Sequence, residues 1–360
     1  MQSKDLWTSL SEAGLTQGEK GEEVLESPWY IKVLLAFSGW FGAIFLVIFV
    51  GLLFGLIFSA IFQEKYLENF LFLAPIGTGL IFFSYVMFKG KTSDFLEHFF
   101  FVISIVGQVF VIAAVFFLFE EHTDEKLFLF MALFQAFLVW LMPNYIHRML
   151  SSFFMALSLS YFFYEIHASH IFLALLTMLV TWLWMNEFQF KFIKNVQAVA
   201  FGLLAALLCL QYPYLYGYEV FDFNYRTGSI LISIDPIVTL YGSMLALAYV
   251  VFKILKREEK LNNFKIIILS SFAVLLVAFI ASYAEGLVLG IIFMLIGFAN
   301  GHKLFIGLGV ISSLFFISNY YYFLGETLMD KAIVLAFVGV VFLLMRFALK
   351  WFMNKELKNA

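Results

Sequence analysis

Few side chains in this sequence are equipped for chemistry, and their spacing narrows what that chemistry is. Glu165, His167 and His170 lie close together, and two histidines three apart on a helix present both imidazoles to one metal ion. A structural zinc site wants four ligands, and no second His or Cys cluster follows. A polar connection between two short helices is the simpler reading. Glu187 and Lys191 stand four apart, a spacing suited to a solvated helical ion pair worth only ~0.2–0.5 kcal/mol. Asp222, Arg226 and Asp235 punctuate an aromatic-rich connection; converging over a groove at the membrane surface, they would suit a lipid-handling transferase. Cys209 is the one cysteine and lies in an apolar stretch, where it is expected to pack as a small hydrophobe. No nucleophile elbow, phosphate-binding glycine loop or metalloprotease helix motif is present. No catalytic residue, metal ligand or cofactor is therefore expected, and an enzyme is the minority reading.

The elements that would position these residues belong to a bilayer. Of 360 residues, 63% are apolar and 13% charged, against ~45–50% apolar in soluble domains. The charges gather in short clusters between long apolar runs, the pattern of helices crossing a membrane. A barrel would need short alternating segments, whereas Phe99 to Phe119 is apolar on every side of a helix. The 49 phenylalanines exceed what lipid requires, and substitute freely where only apolarity matters. The expected fold is all-α and polytopic, with spans near 33–62, 66–88, 99–119, 127–142, 149–164, 169–185, 195–216, 237–252, 264–284, 286–301, 303–324 and 328–349. That makes about twelve transmembrane helices, with 10 or 11 as the alternative counts. Residues 1–32 form an amino-terminal tail, 33–349 the bundle and 350–360 a carboxy-terminal tail. The first run starts too late and extends too far for a cleavable signal. The fourth, fifth and eighth spans hold only 16 residues each, about 24 Å of helix. They must thin the bilayer, sit within the bundle, or be extended by interfacial residues.

Lys and Arg orient the chain. With the amino terminus inside, the tails and even-numbered connections carry 18 of the 22 basic residues, and positive residues near span ends stay on the cytoplasmic side. Both termini are therefore expected in the cytoplasm. Trp29, Trp140, Trp182, Trp184 and Trp351 fall at predicted inner ends, as an interfacial belt would. The net charge of −3 offers no basis for nucleic-acid binding.

Within the spans the chief observation is an absence. No Asp, Glu, Lys, Arg or His falls near a predicted mid-plane, whereas ion-coupled carriers usually keep such groups there. Gln108 and Gln135 are the helix-centre amides, at the same depth in successive antiparallel spans, and are read as packing glue rather than substrate contacts. Gly286, Gly290, Gly297 and Gly301 fall within a wedge of roughly 60° on the tenth span at about 100° per residue, and Gly51 and Gly55 pair similarly on the first. Small residues so arranged admit another helix closely. Packing inside the bundle is favoured over a dimer contact.

Two stretches carry a resemblance. Ser27-Pro-Trp-Tyr30 with Gly39-Trp40, and Gly297-Phe-Ala-Asn-Gly301, Gly307, Gly309, Asn319-Tyr-Tyr-Tyr322, Leu324, Thr327, Leu328, Lys331, Gly339 and Arg346, resemble the opening and closing segments of the bacterial domain of unknown function 4401 family of multi-pass membrane proteins, which is related to the 2157 family. Asp330 departs from the pattern, and the centre matches only in being hydrophobic. The resemblance implies a protein of the bacterial cytoplasmic (inner) membrane, among membrane lipids, often encoded beside a membrane protein named for a GDYxxLxxxT motif. It implies no activity. The leading expectation is a non-enzymatic component of an envelope membrane complex. The alternatives are a transporter, facilitator or flippase for an apolar or amphiphilic molecule, with a cavity lined by Ser158, Ser160, Thr177 and Thr181, or the lipid-handling transferase.

Overall fold

The computed structural model describes residues 28–61, 73–90, 93–118, 124–216, 231–281 and 286–323, with isolated helical positions between 329 and 343. Every regular element among them is helical. The chain divides into two compact units, Met1–Leu118 and Phe119–Ala360.

The first unit holds α1 (Trp29–Ile61), α2 (Leu73–Lys89) and α3 (Asp94–Leu118). Ser93 starts α3 by accepting from the Leu96 amide at 3.4 Å, and Asp94 and Glu97 face the positive end of its dipole. Helix α3 is the centre of this unit, packing against both others. Bare backbone sets both crossings. A Cβ built at Gly39 would lie 2.6 Å from the Phe95 carbonyl oxygen, and one at Gly107 2.6 Å from that of Gly77. The Trp40 indole also donates to His98 Nδ1 at 3.3 Å. From Phe41 to Leu52 the exposed side chains described on α1 are apolar. Phe41 and Phe45 are 70% and 72% exposed, which water would not tolerate over such a patch and lipid does.

The second unit holds α4 (Asp124–Leu141), α5 (Tyr145–Glu165), α6 (Ser169–Met185), α7 (Ile193–Tyr216), α8 (Leu231–Arg257), α9 (Phe264–Ala281), α10 (Leu287–Asn300) and α11 (Lys303–Phe323). Short 3-10 turns, Glu187–Gln189 and Lys260–Asn262, follow α6 and α8. The main packings are α4 on α5, α5 on α7, α6 on α8 and α10 on α11. Their common core holds the fully buried Trp184, Phe293, Phe305, Leu173, Leu207, Leu247, Ile292 and Ile296. Trp184 stands against Phe305 at 4.4 Å and Phe201 at 4.6 Å between ring centroids. Trp184 is thus a core residue and not part of an interfacial belt, whereas Trp140 and Trp182 are exposed.

Among the described residues, four helices are long and apolar enough to cross a membrane: the segments are Tyr30–Phe49, Asp94–Phe116, Ile193–Gln211 and Val238–Arg257. Together with shorter apolar helices such as α6, α10 and α11, they make this a membrane protein. The three short predicted spans are extended by flanking residues, to 18 residues in α4, 21 in α5 and 27 in α8. Helix α10 has only 14 residues, about 21 Å, but eight of them are buried.

Candidate functional site

The polar side chains of the second unit collect where helices end. After α6, Asn186 takes the cap position and its side-chain amide donates to the Trp182 carbonyl at 2.7 Å and the Tyr249 hydroxyl at 2.8 Å. Lys253 on α8 donates to the Asn186 amide oxygen at 2.9 Å. After α10, Gly301 adopts φ +73, the left-handed conformation that suits glycine, and the His302 amide returns to the Gly297 carbonyl at 2.9 Å. Asn300 donates to the Trp184 carbonyl at 2.7 Å, and Arg257 donates to the Ala299 carbonyl at 2.8 Å and to Asn300 Oδ1 at 3.1 Å. The connections after α6, α8 and α10 therefore meet at one end of the unit.

At their junction Glu187 Oε1 meets His302 Nε2 at 2.5 Å. Glu187 is 2% exposed and the His302 side chain 34%. Aromatic rings wall the imidazole: Trp184 stands edge-on at 6.1 Å, Phe188 lies parallel at 6.3 Å, and Phe305 sits at 6.1 Å. Glu187 Oε2 and Trp184 Nε1 are buried and make no hydrogen bond among the described residues. A carboxylate holding a half-open imidazole is equipped to take up and release a proton. Among the described residues, no group of three or more His, Cys, Asp and Glu is placed to hold a metal ion.

A second polar knot lies between α4 and α5. Asn144 caps α5 by accepting from the His147 amide at 2.8 Å. Arg148 is 9% exposed and donates to the carbonyls of Val139 and Met142 at 2.9 and 2.7 Å. It closes the negative end of α4. His147 is fully buried, with Nδ1 3.2 Å from the Ser151 hydroxyl.

Several sequence expectations change. Glu187 is not half of a solvated pair with Lys191: Asn186 has ended the helix, so the four-residue spacing no longer puts them on one face. The Lys191 ammonium lies instead 5.7 Å from the centre of the Phe192 ring. His170 is paired with the Thr239 hydroxyl at 2.9 Å, while His167 ends α5 with φ +57. Cys209 is exposed on α7 rather than packed inside. Thr177 and Thr181 are buried and donate to carbonyls of their own helix, Leu173 and Thr177, at 2.8 and 2.7 Å; Ser158 and Ser160 are also buried.

The glycines divide. Gly290 and Gly297 lie inside α10 facing α11: a Cβ at Gly290 would sit 3.0 Å from the Gly309 carbonyl oxygen, and one at Gly297 2.7 Å from the Ile306 nitrogen. Gly286 and Gly301 are caps at the two ends of α10, with φ +83 and +73, so four glycines on one continuous helical face becomes two. Gly51 has nothing within 4 Å of a built Cβ among the described residues, so no close helix approach is seen there within its own unit. Gly55 lies in α1, and its surroundings fall outside the described residues. Gln108 and Gln135 are both buried, in different units. Asp222 and Arg226 lie outside the described residues, and Asp235 falls within α8 rather than in the connection before it.

Glu187–His302 and the Arg148 cap were not foreseen. Asn186 after an apolar run and Gly301 before His302 are readable as helix ends. Nothing in the sequence links positions 115 apart.

No curated protein and no solved structure matches the chain. The family model described as domain of unknown function (DUF4401) matches residues 28–351, nearly the whole length, and the chain belongs to that family.

Proposed function

We propose that this protein is a non-enzymatic component of a membrane complex in the bacterial cytoplasmic membrane, a bundle of 10–12 spans with both termini on the cytoplasmic side. The observation that carries the reading is where the second unit spends its polar side chains. Arg148, Asn186, Arg257 and Asn300 close or tie helix ends, Ser152 joins α5 to α7 through the Val199 carbonyl at 3.2 Å, and Thr177 and Thr181 return to their own backbone. A carrier must hold polar groups open to its cargo, and a covalent catalyst must hold a nucleophile beside a base. These groups serve packing. The family resemblance supplies the class of partner, a membrane protein bearing the GDYxxLxxxT motif.

Orientation rests on the charge distribution, and the meeting of the connections after α6, α8 and α10 agrees with it, since all three are placed on one side by that distribution. A reporter inserted in the turn between Lys253 and Lys265 is expected to read as cytoplasmic; an exported signal would reverse the topology. Purified in mild detergent from its native membrane, the protein is expected to bring the motif-bearing neighbour with it. Recovery as a solitary chain under conditions that preserve other membrane complexes would overturn the assignment.

A further inference from the structure

We infer that Glu187 and His302 form a proton-binding site at the end of the second unit, whose occupancy controls how firmly the connection after α6 is clasped to the turn between α10 and α11. This goes beyond a role as an assembly component and is independent of it.

The inference starts from an uncompensated burial. A carboxylate withdrawn from water is costly unless paired and fully hydrogen-bonded. Glu187 is 2% exposed, its Oε1 engages His302, and its Oε2 has no hydrogen-bond partner among the described residues. The other charged groups on the packed elements are directed elsewhere. Lys253 is on the Asn186 amide oxygen and Arg257 on Ala299 and Asn300. Lys191 lies over the Phe192 ring, and Lys194 and Lys303 are exposed. Among the described residues, the countercharge within hydrogen-bond reach of Glu187 is therefore His302, present only while that imidazole carries its second proton.

The route for that proton is short. His302 is about one-third exposed, so one ring nitrogen serves the buried carboxylate while the ring still reaches solvent. In the charged state the Nε2–H donates to Glu187 Oε1. On release, the Nδ1–H bond breaks, the proton passes to water, and neutral imidazole keeps its Nε2–H on the carboxylate. What is lost is the charge that offset Glu187. The sign follows: the clasp is firm with the proton bound and weakens as rising pH removes that proton from the imidazole.

Trp184 provides a local readout, because its indole meets the His302 ring edge-on and a protonated imidazole quenches indole emission. The experiment follows emission and thermal stability of the full chain in detergent from about pH 5 to 9, the range that brackets imidazole titration. The Trp184 contribution is taken as wild type minus Trp184→Phe. Expected results are emission that rises with pH, stability that falls with pH, and loss of both trends in His302→Gln. Glu187→Gln is expected to lose the stability trend. Should Trp184→Phe fail to fold, wild type against His302→Gln gives the same comparison. Emission and stability both independent of pH in folded wild type, or a transition that survives His302→Gln, would overturn the site.

Discussion

Gly202→Leu is expected to leave little folded protein, whereas Gly51→Leu keeps the wild-type yield, both read as the monodisperse fraction extracted from membranes. A Cβ at Gly202 would fall on the Met149 carbonyl oxygen and the Ser152 hydroxyl, and would lie 3.0 Å from the Phe153 nitrogen. The obstacle is mainly backbone of α5, which cannot swing aside as a side-chain tip can. The cost should therefore reach or exceed the ~3 kcal/mol upper end of ordinary overpacking. Gly290→Leu meets the same kind of obstacle in α11 and is expected to lower yield similarly. Gly51 meets nothing within 4 Å. Full yield from Gly202→Leu would mean that α5 and α7 do not cross there.

The second large effect concerns Arg148. Arg148→Met is expected to destabilise the protein by about 2–4 kcal/mol, since hydrogen bonds to charged groups contribute roughly 1.5–3 kcal/mol and two carbonyls at the end of α4 would be left without this donor. The carbonyls of Val139 and Met142 are reached by different nitrogens of one guanidinium, at 2.9 and 2.7 Å. Lysine has a single ammonium and no rigid fork, so Arg148→Lys should recover only part of the loss. Thermal unfolding in mild detergent measures both. An unchanged melting temperature in Arg148→Met would show that water or another donor closes α4 equally well.

These two effects differ in how far the sequence announced them. The helices themselves were legible: α1 to α11 overlap the first eleven expected segments, because an apolar run in a charge-poor sequence has few other solutions than a helix in lipid. Helix ends were less so. Helix α8 begins at Leu231 and takes in Asp235, which polarity alone had assigned to the connection. Gly51 and Gly202 show the limit more sharply. The paired spacing of Gly51 and Gly55 marks a small-residue face, yet spacing says nothing about whether a helix arrives there. Gly202, with no glycine partner at that spacing, is where one does.

Composition and charge order determined the class of this protein: a helical chain in a membrane, its basic connections alternating in favour of one side. Those properties are local or additive, and each residue contributes whatever its distant neighbours are. The partners of individual polar side chains were decided by tertiary structure alone. Glu187 reads in one dimension as a solvated acid beside Lys191, and in three it is sealed against His302, 115 residues away. Burial of a charge depends on which helix ends converge on it, and that convergence follows from backbone crossings and core packing around Trp184 that no run of neighbouring residues encodes.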